Sequence, residues 1–186
     1  MYIMKTLIVL LALMSPLTVA QAQDLTPSKV PYYILNAAST HNVDVNLMMA
    51  LCMTESRCNP NAVNKNDGTP EQKARHIRIG SYGLFQIQLA TAETVGFEST
   101  YDVASFKVKH GKKVQVIKKV DNSAELLKPE VNAMYAAKLL SKLYKKYHDT
   151  AKVISAYNAG HATEGNEDYV LKVLKAYAKF TIDRRF

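Results

Sequence analysis

The sequence lacks any apolar run long enough to cross a lipid bilayer. The run at residues 7–14 is short, whereas a membrane-spanning helix needs about 20 apolar residues. Lys5 precedes this run, and Ala20-Gln21-Ala22 follows it with the small residues of a cleavage site. These features predict a secretory signal peptide over 1–22, cleaved after Ala22, and a periplasmic or secreted mature protein over 23–186. An uncleaved anchor is the alternative.

Cysteine is scarce, since Cys52 and Cys58 are the only two in the chain. Neither lies near the predicted cleavage site, so we expect no lipid anchor attached there. On an unbroken helix their Cα atoms would lie roughly 9 Å apart, too far for a disulfide. If the helix ends near Ser56 and the chain turns back, a disulfide can form in an oxidising compartment. Two buried free thiols are the alternative.

Histidine and acidic residues are also few. The five histidines are scattered, with no pair at metal-ligand spacing on a helix, so we expect no metal and no other cofactor. The 16 acidic residues are outnumbered by 24 lysines and arginines, for a net charge of +8, or +7 once Lys5 leaves with the signal. A basic exported protein suits a polyanionic surface such as a cell wall. We expect no nucleic-acid partner and no stable membrane insertion after signal removal.

Repeats, linkers and low-complexity segments are absent as well. Removing 22 of 186 residues leaves 164, which predicts one domain. Apolar spacing and capping residues predict a mainly α domain with helices over 28–41, 45–56, 129–147, 150–159 and 168–180, and a short helix within 82–96. Residues 59–69 read as a loop. Residues 103–120 alternate around His110-Gly111-Lys112-Lys113, which predicts a small β-hairpin insertion with a basic turn.

Glu55 is the main candidate for chemistry. It ends a mostly apolar helix just before the Asn59-Pro60 break. Burial disfavours an ionised carboxylate, and the negative end of the helix dipole acts in the same direction. Both effects suit a general acid, although Arg57 opposes them if its side chain points inward. A surface glutamate on the last turn of a helix is the alternative reading of Glu55 taken alone.

Three later segments resemble, together with Glu55, the motifs of a known family. Glu55-Ser56 is followed in order by Gly83-Leu84-Phe85-Gln86-Ile87, Ala156-Tyr157-Asn158-Ala159-Gly160 and Tyr169. This order and spacing is similar to the Slt-type lytic transglycosylases, which have a lysozyme-like fold. The segment from Pro129 to Leu140 fits the helix that precedes the Tyr-Asn motif. The chain departs from the family pattern at Phe85, at Gln88-Leu89 and at His161.

The resemblance implies cleavage of the MurNAc–GlcNAc β-1,4 bond of peptidoglycan, with release of 1,6-anhydro-MurNAc ends. It implies that Glu55 is first the acid and then the base, so that no second carboxylate is required. Asp67 is the one nearby candidate for such a group, and turn formation explains it more simply. Substrate-binding roles are expected for several matched residues, and Ser56 and Gly83 are expected to be structural near the site. The expected substrate-binding residues are Ser81, Gln86, Gln88, Tyr157, Asn158 and Tyr169.

Two other functions fit the same motifs. A hydrolytic lysozyme (muramidase) of this fold would add water across the same bond. A non-catalytic wall-binding assembly protein would keep the fold without the chemistry. The small size of the chain further suggests a specialised role in which it opens the wall locally for a secretion, conjugation or pilus complex. The basic hairpin, with Lys107, Lys109, Lys112 and Lys113, reads either as a solvated flap or as a lid or docking surface over the groove.

Overall fold

The computed structural model describes residues 29–68, 70 and 80–182. Two short helices open the described chain. Helix α1, Val30–His41, has Pro31 in its first turn and ends where Asn42 adopts a left-handed conformation. Helix α2, Val45–Glu55, begins at Asp44, whose carboxylate accepts hydrogen bonds from the backbone N–H groups of Asn46 and Leu47. This N-cap fixes the start of the helix that ends at Glu55.

A small antiparallel sheet follows α2 and was not predicted from the sequence. Its strands are β1, Val63–Asn64, β2, Ser81–Tyr82, and β3, Ile87–Gln88, in that order across the sheet. Each strand has only two residues, too short for a visible alternation of polar and apolar positions. Helix α3, Leu89–Glu93, continues directly from β3.

The predicted β-hairpin is present and slightly longer than expected. Strand β4, Thr100–Lys109, pairs with β5, Lys112–Asp121, in unbroken antiparallel register. Its base is closed by a hydrogen bond from the N–H of Asn122 to the carbonyl of Ser99 (2.8 Å). A 3₁₀ helix, Ser123–Leu127, then returns the chain to the body through the buried Leu126.

Three helices complete the domain: α4, Pro129–Tyr147, α5, Thr150–Ala159, and α6, Glu167–Ile182. Helix α4 is central and packs against α1 and α5. Its inward face is fully apolar except for one amide; the buried residues are Asn132, Ala133, Ala136, Ala137, Leu139, Leu140 and Leu143. The many alanines on this face allow neighbouring helices to approach closely.

Helices α2 and α6 pack against each other and are tied at both ends. The hydroxyl of Tyr177 donates to Asp44 at the start of α2 (2.6 Å), and the hydroxyl of Tyr169 donates to Glu55 at its end. Tyr169 precedes Tyr177 on α6, so the two helices run antiparallel. This pairing places the end of α2 beside the start of α6.

The architecture confirms the predicted mainly α, lysozyme-like domain with a small hairpin. Within the described ranges, no helix is both long and apolar enough to cross a membrane. The predicted signal peptide over 1–22 and the expected helix cap at Ser28 lie outside the described residues.

Candidate active site

The chain turns sharply directly after Glu55. The Ser56 hydroxyl donates to the carbonyl of Leu84 (2.7 Å) and accepts from the N–H of Asn59 (3.0 Å). Arg57 and Cys58 both adopt left-handed backbone conformations, with φ of 56° and 57°, which non-glycine residues rarely adopt. The hydroxyl of Ser56 therefore connects the end of α2 to the segment that carries Leu84.

A disulfide closes this turn. Cys52 and Cys58 are joined, with their Cα atoms 4.9 Å apart, inside the usual range for a bridge. The N–H of Cys58 also bonds to the carbonyl of Cys52 (3.0 Å). Of the two arrangements left open by the sequence, the structure has the bridge, and it encloses Glu55.

Glu55 is half-buried, and its pKa is raised above the ordinary value. Burial is the main cause. The hydrogen bond from Tyr169 and the positive charge of Lys172 lower the pKa, and the negative charge of Asp67 adds a smaller rise. Arg57 is exposed and is not among these influences. Burial thus favours the protonated carboxyl, while two groups of α6 support the ionised form.

The turn between β2 and β3 holds two of the expected sugar-binding residues against each other. The Ser81 hydroxyl donates to Oε1 of Gln86 (3.1 Å), and Nε2 of Gln86 donates to the carbonyls of Ala62 and Gly83. Ser81 is only 1% exposed. In this structure the Ser81 hydroxyl therefore bonds within the turn, and the Gln86 amide is likewise engaged there.

Gln88 and Asp67 form a second polar pair near Glu55. Nε2 of Gln88 donates to the Asp67 carboxylate (3.0 Å). The N–H of Asp67 reaches the carbonyl of Asn64 (3.4 Å), which agrees with the turn role expected for Asp67. Its effect on the pKa of Glu55 shows that it also acts on the candidate acid.

Sequence reasoning missed the role of Asn132, which connects these segments. Asn132 is fully buried on α4. Its Oδ1 accepts from the N–H of Phe85 (2.9 Å), and its Nδ2 donates to the carbonyls of Tyr82 and Leu126 (2.8 Å each). A lone amide within the apolar stripe of α4 was the available signal, since a buried amide needs partners.

Gly83 is required by the same contact. Its φ is 70°, and a Cβ placed there would lie 2.7 Å from both Nδ2 of Asn132 and the carbonyl oxygen of Leu126. Only glycine permits this approach. The close approach of Asn132 and Leu126 therefore requires glycine at position 83.

Tyr157 and Asn158 lie at the end of α5. The Tyr157 hydroxyl donates to the carbonyl of Phe85 (2.8 Å), so it fixes the turn instead of bonding Glu55 directly. Burial, followed by the negative charge of Glu55, raises the pKa of Tyr157 well above its ordinary value, so the phenol stays protonated. Asn158 is exposed, two residues before Gly160, whose left-handed conformation ends the helix.

Tyr169 is the other tyrosine at Glu55. Burial and the adjoining Glu55 carboxylate raise its pKa, which keeps its hydroxyl protonated and able to donate.

Among the residues that the structure describes, no group of three or more His, Cys, Asp or Glu side chains is placed to hold a metal ion.

These features define a protein of the lysozyme-like class, with a partly buried glutamate at the end of a helix and a polar turn beside it. A family model described as the Transglycosylase SLT domain matches residues 32–172. The chain therefore belongs to the Slt-type lytic transglycosylases, which act on peptidoglycan outside the cytoplasm. The resemblance predicted from the motifs is confirmed. The roles of individual site residues stay predictions.

Proposed function

We propose that this protein cleaves the MurNAc–GlcNAc β-1,4 bond of peptidoglycan without water and leaves 1,6-anhydro-MurNAc ends. The observation that carries the proposal is the environment of Glu55, whose pKa is raised by burial while Tyr169 bonds its carboxylate. An acid that must become a base within one turnover needs both protonation states within reach. Burial favours the protonated carboxyl that acts as the acid. Tyr169 and Lys172 favour the ionised carboxylate that acts as the base.

The chemistry needs only this carboxyl group. Protonated Glu55 gives its proton to the glycosidic oxygen as the bond from that oxygen to C1 of MurNAc breaks. The Glu55 carboxylate then takes the proton of the C6 hydroxyl while the C6 oxygen bonds to C1. The GlcNAc end leaves with the first proton, Glu55 is protonated again, and no water is consumed.

The surrounding residues support this cycle indirectly. Ser56, Tyr157 and Asn132 each bond the backbone of the turn at residues 82–85. That turn is thereby held at a fixed position relative to the end of α2. We propose that Gln86, Gln88 and Asn158 contact the sugars after rearranging their present hydrogen bonds or from their exposed positions, and that Tyr169 forms an aromatic wall of the groove.

Product analysis tests the proposal. Purified peptidoglycan is digested with the wild type and with Glu55→Gln, and the masses of the products are measured by mass spectrometry. We expect anhydro ends from the wild type and an activity about 100- to 10,000-fold lower for the variant, the usual contribution of general acid–base catalysis. Products that each carry one additional water would contradict the transglycosylase reaction. Unchanged activity of Glu55→Gln would favour a different catalytic residue.

Hydrolysis is the second candidate because Asp67 acts electrostatically on Glu55. Ordinary glycosidases use two carboxyl groups, one of which can activate water. If the protein is a muramidase, Asp67→Asn should abolish the release of hydrated products. If it is a transglycosylase, the same variant should retain anhydro products, with the pKa of Glu55 slightly lowered.

We also propose that the enzyme opens the wall locally for an envelope-spanning secretion, conjugation or pilus complex. The support is the similarity to compact members of the family. Crosslinking in intact cells followed by affinity purification should recover components of such a complex. Recovery of general wall-turnover proteins alone would count against this role.

A further inference from the structure

The β-hairpin has two chemically different faces. Side chains alternate between the faces of a strand, and directly paired residues share a face. The register therefore defines a basic face and a neutral face. The basic face consists of Tyr101, Val103, Ser105, Lys107, Lys109, Lys112, Val114, Val116, Lys118 and Val120. The neutral face consists of Thr100, Asp102, Ala104, Phe106, Val108, Lys113, Gln115, Ile117, Lys119 and Asp121.

All unbalanced charge lies on the basic face. It holds four lysines and no acid, whereas the neutral face holds two lysines and two aspartates. Lys119 pairs with Asp102 (3.3 Å), and Asp121 bonds the N–H and hydroxyl of Ser123. Among the described residues, no carboxylate forms an ion pair with a lysine of the basic face. Within the described part of the chain, the positive charge of this face therefore has no carboxylate to balance it.

Two of these lysines repel each other. Lys109 and Lys112 are direct cross-strand partners at the end of the hairpin, and like charges in that position are destabilising. A bound carboxylate would remove the repulsion. The residues of both strands are exposed or half-buried throughout, and a two-stranded hairpin alone is marginally stable in water. A ligand would therefore also order the hairpin.

The hairpin is rooted beside the candidate active site. It leads through the 3₁₀ helix to Leu126, whose carbonyl accepts from Asn132, and Asn132 also bonds Tyr82 and Phe85 of the site turn. A polymer held by the hairpin is thus held by an element that Asn132 connects to the turn at residues 82–85.

We propose that the basic face docks the carboxylate-bearing stem peptides of peptidoglycan and so retains the polymer beside the groove. The proposal rests on the proposed function only in taking peptidoglycan as the substrate. Charge complementarity identifies the partner, because the stem peptides carry the free carboxylates of the polymer. A lipid surface fits less well, since the most exposed apolar residues, Phe106, Val108 and Ile117, share the opposite face with both aspartates.

Sedimentation with purified insoluble peptidoglycan tests this surface. The three tip lysines are replaced in Lys107→Gln/Lys109→Gln/Lys112→Gln. The matched control removes the same charge elsewhere, in Lys145→Gln/Lys146→Gln/Lys152→Gln, all exposed. Binding is measured on ice in the Glu55→Gln background, and thermal unfolding verifies that each variant is folded. A third variant, Val108→Thr, changes the neutral face alone.

We expect binding roughly tenfold weaker for the tip variant at low salt, since three exposed ion pairs are lost, with little change for the other two. The difference should vanish in high salt and on peptidoglycan whose stem peptides have been removed by an amidase. Equal losses in the tip and control variants would overturn the proposal, as would tip-dependent binding to peptide-free glycan or a tip-dependent preference for anionic vesicles.

Cleavage of short soluble glycan chains separates this proposal from the proposed function. The tip variant with Glu55 intact should cleave such chains at the wild-type rate, because they do not depend on docking. Loss of cleavage only on the insoluble polymer supports the docking surface. A wild-type protein that binds but cleaves neither substrate would refute the enzymatic function and leave the docking surface standing.

Discussion

At the scale of single residues, the site is a balance of opposing effects on Glu55. Burial raises the pKa of its carboxyl group, whereas Tyr169 and Lys172 lower it. The sequence indicated the rise from burial but not the two groups that oppose it, because Tyr169 and Lys172 lie on a helix more than 100 residues further along. The sequence identified the candidate acid, and the structure shows that α6 carries the two groups that lower its pKa.

Tyr169→Phe should move the alkaline limb of the pH–activity profile to higher pH. The hydrogen bond from Tyr169 lowers the pKa of Glu55, so its removal raises that pKa further and keeps the acid protonated at higher pH. The maximal rate should fall because the ionised form loses its donor. The measurement is the initial rate of peptidoglycan cleavage across a pH series.

Tyr177→Phe is the matched control for this variant. It removes a tyrosine–carboxylate bond between the same two helices, at Asp44 instead of Glu55. It should lower stability without moving the alkaline limb. If neither variant moves the alkaline limb of the pH–activity profile, the hydrogen bond from Tyr169 does not lower the pKa of Glu55.

Asn132→Ala should destabilise the fold by about 3 kcal/mol. It leaves the Phe85 N–H and the Tyr82 and Leu126 carbonyls without partners in the interior, and unsatisfied buried polar groups are costly. The measurement is the free energy of unfolding in urea. Asn158→Ala, at an exposed position, should change it by no more than about 0.5 kcal/mol. Equally small changes in the unfolding free energy of both variants would show that Asn132 does not hold these segments together.

At the scale of elements, the site depends on how helices end. Helix α2 ends at Glu55, and the chain then turns through Arg57 and Cys58 in left-handed conformations, closed by the disulfide. The sequence predicted the end of α2 at this point, and it also predicted the hairpin that follows later in the chain. It did not predict the small sheet, because two-residue strands carry no periodic signal.

Replacing both cysteines, as Cys52→Ala/Cys58→Ala, should lower the free energy of unfolding by about 2 kcal/mol. The bridge closes a short loop, and its loss restores that conformational freedom to the unfolded chain. Activity should fall more than stability alone predicts, because Glu55 lies within the loop. Wild type treated with reductant should behave like the variant, and a variant with unchanged activity would mean that the turn alone positions Glu55.

At the scale of the whole molecule, the site is kept at a cost in stability. A carboxyl group whose folded pKa is raised above its unfolded value adds stability below the unfolded pKa. That contribution is lost as pH rises through the interval up to the folded pKa. Ionisation of the half-buried Glu55 therefore weakens the fold as pH rises.

Glu55→Gln should accordingly be more stable than the wild type once pH exceeds the pKa of Glu55, although we expect its activity to be far lower. The difference should shrink as pH falls below the ordinary pKa of a glutamate. Urea unfolding of both proteins at several pH values measures it. A variant that is less stable at neutral pH would show that the carboxylate is satisfied in the folded state.

The sequence by itself determined the helices, the hairpin, the family and the candidate acid. Local periodicity and turn residues predicted the helices and the hairpin, and the order of the motifs identified the family and the candidate acid. Glu55, Gly83 and Tyr169 were all marked in this way. Only the tertiary structure decided which groups meet: Tyr169 and Lys172 with Glu55, Asn132 with the turn at 82–85, and Ser81 with Gln86 inside it. These contacts join residues distant in the chain, and their partners depend on how α2, α4 and α6 pack.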